Sequence, residues 1–219
     1  MKNPIAAALP ALAPALFAPA GLWSVEPADL VAPPEASVAV LDPVDPPADP
    51  PVALRDVVLA GSGCRGAGAA SAGISAGGDA IVVDFNTLSA DTTTGPAKQA
   101  RSCTLVGTLA PPPGYRVSVT GVSALGDANL RAGASARFII RHFQPGSATL
   151  GAANRILQGP YRGAAPISFK DSSPTWSGCG TPQRVIVTTS VFLDAGQARA
   201  GGRAGLAALD VDFTMQPCM

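Results

Sequence analysis

The sequence predicts an all-β protein, an antiparallel β-sandwich or jelly-roll-like barrel stapled by two disulfides. Two observations lead to this prediction: short β-branched runs separated by turn-forming residues, and four widely spaced cysteines. Short strands at regular spacing are typical of sandwiches and barrels. An even number of cysteines without metal-type spacing is typical of a disulfide-bonded protein from an oxidising compartment.

Nine segments between residues 57 and 215 are predicted strands, because they are rich in β-branched residues and several alternate apolar with polar positions. They are Val57–Leu59, Ile81–Phe85, Cys103–Leu109, Tyr115–Val122, Ala136–Phe143, Asn154–Leu157, Ile167–Phe169, Arg184–Leu193 and Leu206–Met215. Glycine- and proline-containing turns separate them. The longer apolar segment Ala195–Leu209 contains four glycines, each of which disfavours a helix by about 1 kcal/mol relative to alanine.

Composition divides the chain into three regions. Residues 1–20 are rich in Ala and Leu and end in Ala18-Pro19-Ala20, the small-x-small pattern of a signal-peptide cleavage site. Residues 21–53 contain eight prolines and six acidic residues but no Lys or Arg, which predicts a disordered, extended linker. Residues 54–219 are the predicted β-sandwich domain. We therefore expect a secreted, extracellular protein without a transmembrane segment, since Pro10 and Pro14 interrupt the apolar stretch.

Charge is distributed unevenly, although the whole chain has a formal net charge of zero. From residue 54 onward there are fourteen Lys and Arg against nine Asp, so the domain is basic and the linker acidic. The arginines are scattered singly, whereas a nucleic-acid face has a basic stripe with interleaved aromatics. We therefore expect no nucleic-acid partner, and the composition alone does not indicate any anionic partner.

One motif matches the sequence pattern of a dinucleotide-binding site. Gly61-Ser62-Gly63-Cys64-Arg65-Gly66 reads G-x-G-x-x-G after a predicted strand, and that chemistry needs a helix N-terminus behind the loop. The residues that follow are small and include four more glycines before residue 79, so no helix is expected there. We expect no cofactor.

A second motif matches the sequence pattern of a hydrolase nucleophile elbow. Gly73-Ile74-Ser75-Ala76-Gly77 reads G-x-S-x-G, which requires a strand-to-helix turn and a histidine base. The single histidine, His142, lies in a predicted strand, and Asp127 could complete a triad. A loop serine and a packed strand histidine are the simpler interpretation.

Metal ligands are sparse. One histidine and cysteines about 39 residues apart exclude the common zinc spacings. Asp210 and Asp212 share one strand face and could join Asp84 or Asn86 in a calcium site, but solvated strand-face carboxylates are the simpler interpretation. We expect no metal.

Three aromatic residues beside turns are the candidate binding residues. Tyr115, Tyr161 and Trp176 could offer a stacking surface for a sugar or a peptide. Each is also compatible with a core or corner position.

Several blocks of the domain occur in the order found in one family of secreted proteins. The blocks are Gly61 to Cys64, Ile81 to Asn86, Arg101 to Leu105, Pro113 to Tyr115, Val117 to Val119, Phe138 to Phe143, Leu157 to Tyr161, Pro174 to Gly180 and Cys218. In these blocks the chain resembles the DUF4360 family over about residues 56–218. The resemblance implies an extracellular β-rich domain of unknown function and provides no catalytic residues. The acidic linker and Arg101-Ser102 depart from the family pattern.

Four cysteines allow three pairings. We favour Cys64 with Cys103 and Cys179 with Cys218, because each pair closes a loop of about 40 residues. Each bridge would constrain the unfolded chain by about 3–4 kcal/mol.

The function expected from the sequence is that of a secreted, monomeric, non-catalytic module. Its partner would be a glycan, a peptide or a cell-surface component. Two alternatives stay open: a hydrolase that uses Ser75 and His142, and a structural or inhibitory partner of another secreted protein.

Overall fold

The computed structural model describes residues 51–145, 151–196 and 201–219. The predicted signal peptide and all but the last three residues of the predicted linker lie outside these ranges. Among the described residues there are twelve strands. They are β1 Ala53–Ala60, β2 Ala70–Ile74, β3 Ala80–Phe85, β4 Ser89–Asp91, β5 Lys98–Ala110, β6 Tyr115–Leu130, β7 Ser135–Phe143, β8 Gly151–Gln158, β9 Tyr161–Ala164, β10 Ile167–Lys170, β11 Gln183–Asp194 and β12 Gly202–Pro217. No helix in the described ranges is long and apolar enough to cross a membrane.

The strands form two sheets that pack face to face, which confirms the predicted β-sandwich. The front sheet has five strands in the order β1-β5-β11-β7-β8. The back sheet has seven strands in the order β10-β6-β12-β3-β2, with β9 also paired to β6 and β4 also paired to β12. All pairs are antiparallel, and β6 and β12 pair along almost their full length. At the edges of the sandwich, β1 contacts β2 and β8 contacts β10.

The core lies between the sheets because apolar and polar residues alternate along the strands. On β7, for example, Ala136, Phe138 and Ile140 are buried, whereas Arg137 and Arg141 are exposed. Side chains of successive strand residues point to opposite faces, so this alternation gives each sheet an inner apolar face. The largest buried side chains are Phe138, Ile81, Leu88, Leu105, Leu109, Ile140, Leu193, Leu209, Val83, Val117, Val119 and Val122.

Both disulfides are formed in the favoured pairing. Cys64 bonds to Cys103 with a Cα–Cα distance of 5.4 Å, and both residues are buried. Cys179 bonds to Cys218 with a Cα–Cα distance of 6.1 Å, and Cys179 is exposed. The first bridge ties the loop after β1 to β5. The second ties the end of β12 to the loop before β11.

All nine predicted segments lie within observed strands, and the expectation that Ala195–Leu209 is not helical agrees with β12 beginning at Gly202. Three short strands, β2, β4 and β9, were not predicted. Their sequences, such as Ala-Ser-Ala-Gly-Ile in β2, lack the β-branched runs that indicate a strand. They form because backbone groups of β3, β12 and β6 are available to pair with them.

Candidate functional site

The residues of the hydrolase hypothesis lie in different parts of the sandwich. Ser75 is in the turn between β2 and β3, at one edge of the back sheet. His142 is on β7 in the front sheet, next to β8 at the opposite edge. Strand β1 contacts β2 at one edge of the sandwich, and β8 contacts β10 at the opposite edge. Ser75 and His142 are therefore separated by the width of the sandwich. Asp127 is on β6 with an exposed side chain. The fold does not bring the three together.

The local contacts of Ser75 and His142 are those of a turn serine and a buried strand histidine. The Ser75 hydroxyl donates to Asp79 Oδ1 at 2.8 Å and accepts from the Asp79 and Ala80 amides, which closes the turn. A cavity of about 780 Å³ adjoins this turn, but the Ser75 hydroxyl beside it is already engaged. His142 is 3% exposed. Burial lowers the pKa of His142, and the attraction of Asp171 only partly opposes this.

The G-x-G-x-x-G loop does not precede a helix. Gly63 donates its amide to the Ser102 carbonyl at 2.8 Å, so the loop packs on β5 beside the Cys64–Cys103 bridge. The next element is strand β2. No helix N-terminus is therefore available for a pyrophosphate at this loop.

The carboxylates of the calcium hypothesis lie on the outer face of the back sheet. Asp210 and Asp212 are on β12, and Asp84 on β3 pairs with Ala208. Burial, followed by the charges of Asp212 and Asp84, raises the pKa of Asp210 above its ordinary value. Within the described residues no group of three or more acidic, His or Cys side chains is placed to hold a metal. The structure therefore gives the calcium hypothesis no support.

Trp176 lies in an irregular segment that follows the edge of β6. The Ser177 amide donates to the Val117 carbonyl at 2.9 Å, and the Ser177 hydroxyl accepts from the Val117 amide at 3.0 Å. The Arg116 guanidinium carbon is 5.0 Å from the centre of the Trp176 ring, a cation–π contact. Arg116 also donates to Gln216 Oε1 at 3.0 Å. One face of the half-buried indole is therefore already covered.

The two predicted tyrosines do not join Trp176 in one surface. Tyr115 and Arg116 are consecutive on β6, so their side chains point to opposite faces of the back sheet. Tyr161 pairs with Leu130 at the far end of β6, about 50 Å of extended strand from Tyr115. The Tyr161 hydroxyl donates to the Ala164 carbonyl at the other end of β9. The predicted aromatic residues thus occupy separate places.

A cavity on the outer face of the front sheet was not predicted. Its volume is about 340 Å³, and Phe192, Arg137, Lys98 and Asp194 are among its lining residues. Phe192 on β11 lies between Ala100 on β5 and Arg137 on β7. Phe192 is 42% exposed, whereas the inward residues of the same strand are buried. Its register partner on β5, Ala100, is small and exposed, so it can cover little of the Phe192 ring.

Polar groups around the cavity are held in place by neighbouring strands. Arg137 donates from Nε to Asn154 Oδ1 at 3.0 Å, and its two terminal nitrogens make no hydrogen bond to any other residue that the structure describes. Asp194 accepts from the Gly196 amide at 2.8 Å and pairs with Lys98 at 3.0 Å. The Gly196 amide, followed by Lys98, holds the pKa of Asp194 below its ordinary value. The cavity thus combines an aromatic ring, a fixed guanidinium and an ionised carboxylate.

The sequence carried a signal for this site. Arg137, Ile139, Arg141 and Phe143 alternate with buried residues on β7, so their side chains share the outer face. Two of the arginines that are scattered singly along the chain, Arg137 and Arg141, therefore lie on the same strand face. The position of Phe192 beside them depends on the pairing of β11 with β7, which periodicity does not indicate.

Comparison with known proteins gives one family and distant structural neighbours. The model of the family described as "Domain of unknown function (DUF4360)" matches residues 50–217. One similar structure is TmCBM61 in complex with beta-1,4-galactotriose, with 11% identity and a TM-score of 0.32, covering 74% of this chain and 88% of that chain. Another is a family 11 carbohydrate-binding module from Clostridium thermocellum in complex with a mixed-linked tetrasaccharide, with 12% identity and a TM-score of 0.22, covering 74% of this chain and 86% of that chain. At these scores the structural similarity supports no conclusion about a ligand. A search of curated proteins gives no match.

Proposed function

The chain belongs to the DUF4360 family, and we propose that it is a secreted, non-catalytic module that binds carbohydrate through the cavity at Phe192. The observation that carries the proposal is the row Ala100, Phe192, Arg137 and Ile156 across four strands of the front sheet. It places an exposed aromatic ring next to a guanidinium whose orientation is fixed by Asn154.

This arrangement fits the chemistry of a sugar ring. A sugar offers an apolar C–H face and a rim of hydroxyl groups, and binding sites of this kind combine apolar or aromatic surface with a few oriented polar groups. Phe192 would contact the C–H face. Arg137 and Lys98 would donate to hydroxyl or ring oxygens, and Asp194 would accept from hydroxyl groups. The cavity volume of about 340 Å³ lies within the range of small-molecule sites.

The composition of the cavity supports a binding role over hydrolysis. Glycoside hydrolysis generally uses a pair of carboxylates flanking the scissile bond. Among the lining residues, Asp194 is the one carboxylate. The Gly196 amide, followed by Lys98, lowers its pKa, which disfavours the protonated form that a catalytic acid needs. The separation of Ser75 from His142 likewise argues against the hydrolase alternative.

Secretion rests on two supporting observations. The structure has two disulfides and no free cysteine among the described residues, as expected for an oxidising compartment. The sequence of residues 1–20 has the features of a signal peptide.

A polysaccharide panel tests the proposal. We would measure binding of the full chain to cellulose, xylan, chitin, dextran and polygalacturonate by affinity electrophoresis and calorimetry. Phe192→Ala should weaken binding about tenfold or more, as expected for loss of an aromatic contact at the centre of a site. Leu125→Ala is the matched control, since Leu125 is 55% exposed on the outer face of the back sheet, and it should bind like the wild type.

Two results would contradict the proposal. The first is unchanged affinity of Phe192→Ala. The second is loss of binding in Trp176→Ala with Phe192→Ala unaffected, which would transfer the site to the Trp176 segment.

A further inference from the structure

Three arginines form a line on the outer face of the front sheet, starting at the cavity. Arg137 and Arg141 are four residues apart on β7. Arg184 is on β11, four residues from Thr188, which is the register partner of Arg141. At about 3.3 Å per residue, successive members are about 13 Å apart along the strands. We call Arg137, Arg141 and Arg184 the arginine line.

No member of the arginine line forms a salt bridge with another residue that the structure describes. In the described ranges the one salt bridge is Lys98–Asp194. Asp194 is also the only carboxylate at outer positions of β5, β7, β8 and β11. On β1, the remaining front-sheet strand, exposed Asp56 lies at a register shift next to Arg55. The outer face of the back sheet differs, because it carries four aspartates. They are Asp84, Asp127, Asp210 and Asp212.

Apolar and hydroxyl side chains alternate with the arginines. Ile139 lies between Arg137 and Arg141 on β7. Phe143, which is 45% exposed, lies opposite Ile186 between the levels of Arg141 and Arg184. Thr188 beside Arg141 shares a hydrogen bond of 3.0 Å with Thr104. An extended chain lying along these strands would therefore meet charge, apolar surface and hydroxyl groups in turn.

We infer, on the basis of the proposed function, that the glycan is anionic and that its carboxylate or sulfate groups bind the arginine line while one sugar ring lies on Phe192. Guanidinium groups bind such oxyanions bidentately, with charge-assisted hydrogen bonds. A single-stranded nucleic acid fits less well, because it needs successive aromatic platforms for its bases. On this face Phe192 and Phe143 are far apart, six positions along the strand register.

Paired polysaccharides isolate the contribution of charge. Polygalacturonate and its methyl ester share one backbone and differ in their carboxylates, and dextran sulfate and dextran differ in their sulfates. The full chain should bind at least one anionic member about tenfold or more tightly than its neutral partner. That binding should weaken as salt rises from 50 to 500 mM, since salt screens exposed charges. The preferred anionic member identifies whether carboxylate or sulfate is recognised.

Charge-neutralising variants test whether the arginine line is the part of the protein that binds the anionic groups. Arg141→Gln and Arg184→Gln should each weaken binding of that polyanion several-fold. Arg141→Lys should recover part of the affinity, because lysine keeps the charge but not the bidentate geometry. Arg203→Gln is the matched control, since it removes the same charge from β12 of the back sheet, and it should bind like the wild type.

The failures of the two proposals are distinguishable. If the neutral and anionic polysaccharides of a pair bind with equal affinity and Phe192→Ala weakens both, the inference of an anionic ligand is overturned. The proposal of carbohydrate binding at Phe192 is then still supported. Equally tight binding of a single-stranded DNA oligonucleotide, or equal losses with Arg203→Gln, also overturns the inference in favour of non-specific charge attraction. Absence of binding to every polysaccharide overturns both.

Discussion

Phe192 on β11 and Arg137 on β7 are direct register partners on the outer face of the front sheet. Arg137 is also held from the other side, where its Nε donates to Asn154 Oδ1 on β8 at 3.0 Å. The guanidinium is thus oriented before any ligand arrives. Preorganisation of this kind reduces the entropy lost on binding.

The first prediction concerns Asn154 as a positioning residue for Arg137. Asn154→Ala should weaken glycan binding about three- to fivefold, because it releases the guanidinium without removing it. Arg137→Gln should weaken binding more. The Arg137→Gln/Asn154→Ala double variant should bind no worse than Arg137→Gln alone, because the two residues act as a unit. Calorimetric affinities that add independently would contradict this role.

The second prediction concerns the order in which the disulfides open. Cys64 and Cys103 are 6% and 1% exposed, whereas Cys179 is exposed. Thiol–disulfide exchange requires access of the attacking thiolate. Low concentrations of dithiothreitol followed by alkylation and peptide mass spectrometry should label Cys179 and Cys218 first. Earlier or simultaneous labelling of Cys64 and Cys103 would show that exposure does not control the order.

The third prediction concerns a glycine beside the buried disulfide. Gly61 has a φ of +141°, and a Cβ there would overlap the backbone carbonyl of Ser102. Gly61→Ala should lower the free energy of unfolding by more than about 2 kcal/mol, since it adds a steric overlap to an unfavourable backbone conformation. Gly66→Ala is the matched control, because Gly66 also has a positive φ but nothing within 4 Å of its Cβ position. Urea unfolding should show the smaller loss for Gly66→Ala, and equal losses would contradict the steric argument.

The fourth prediction concerns stability in mild acid. The pKa of His142 is lowered by burial, and its Nε2 is buried without a hydrogen-bond partner among the described residues. Between the folded-state pKa and the ordinary value near 6.5, the unfolded chain binds more protons than the folded one. Stability should therefore fall as the pH decreases below about 6.5.

His142→Leu isolates this effect, because it removes the titrating group and keeps the site apolar. In urea unfolding at pH 7.5 and 5.5, the variant should lose less stability than the wild type. Asp91 and Asp194 have lowered pKa values, so their contributions change only in stronger acid. An identical loss in both proteins would contradict the assignment to His142.

The strands with strong β-branched alternation could be predicted from the sequence, and so could the disulfide pairing. The alternation of β7 alone places Arg137, Ile139, Arg141 and Phe143 on one face. What the sequence could not supply is strand order. Whether Ser75 meets His142, or Phe192 meets Arg137, depends on which strands are neighbours, and neither contact is local in the chain. The G-x-S-x-G motif is local in the chain. It suggested a hydrolase, but the order of the strands in the two sheets does not bring Ser75 and His142 together.

Amide hydrogen–deuterium exchange of the full chain, with the polysaccharide of the panel that binds best, locates the bound glycan on the protein. Peptides from β5, β7 and β11 that contain Ala100, Arg137 and Phe192 should gain protection, because these residues form the cavity. The segment with Trp176 and the turn with Ser75 should exchange as in the free protein. Protection confined to the Trp176 segment, with the exchange of the front sheet unchanged, would contradict glycan binding at the Phe192 cavity.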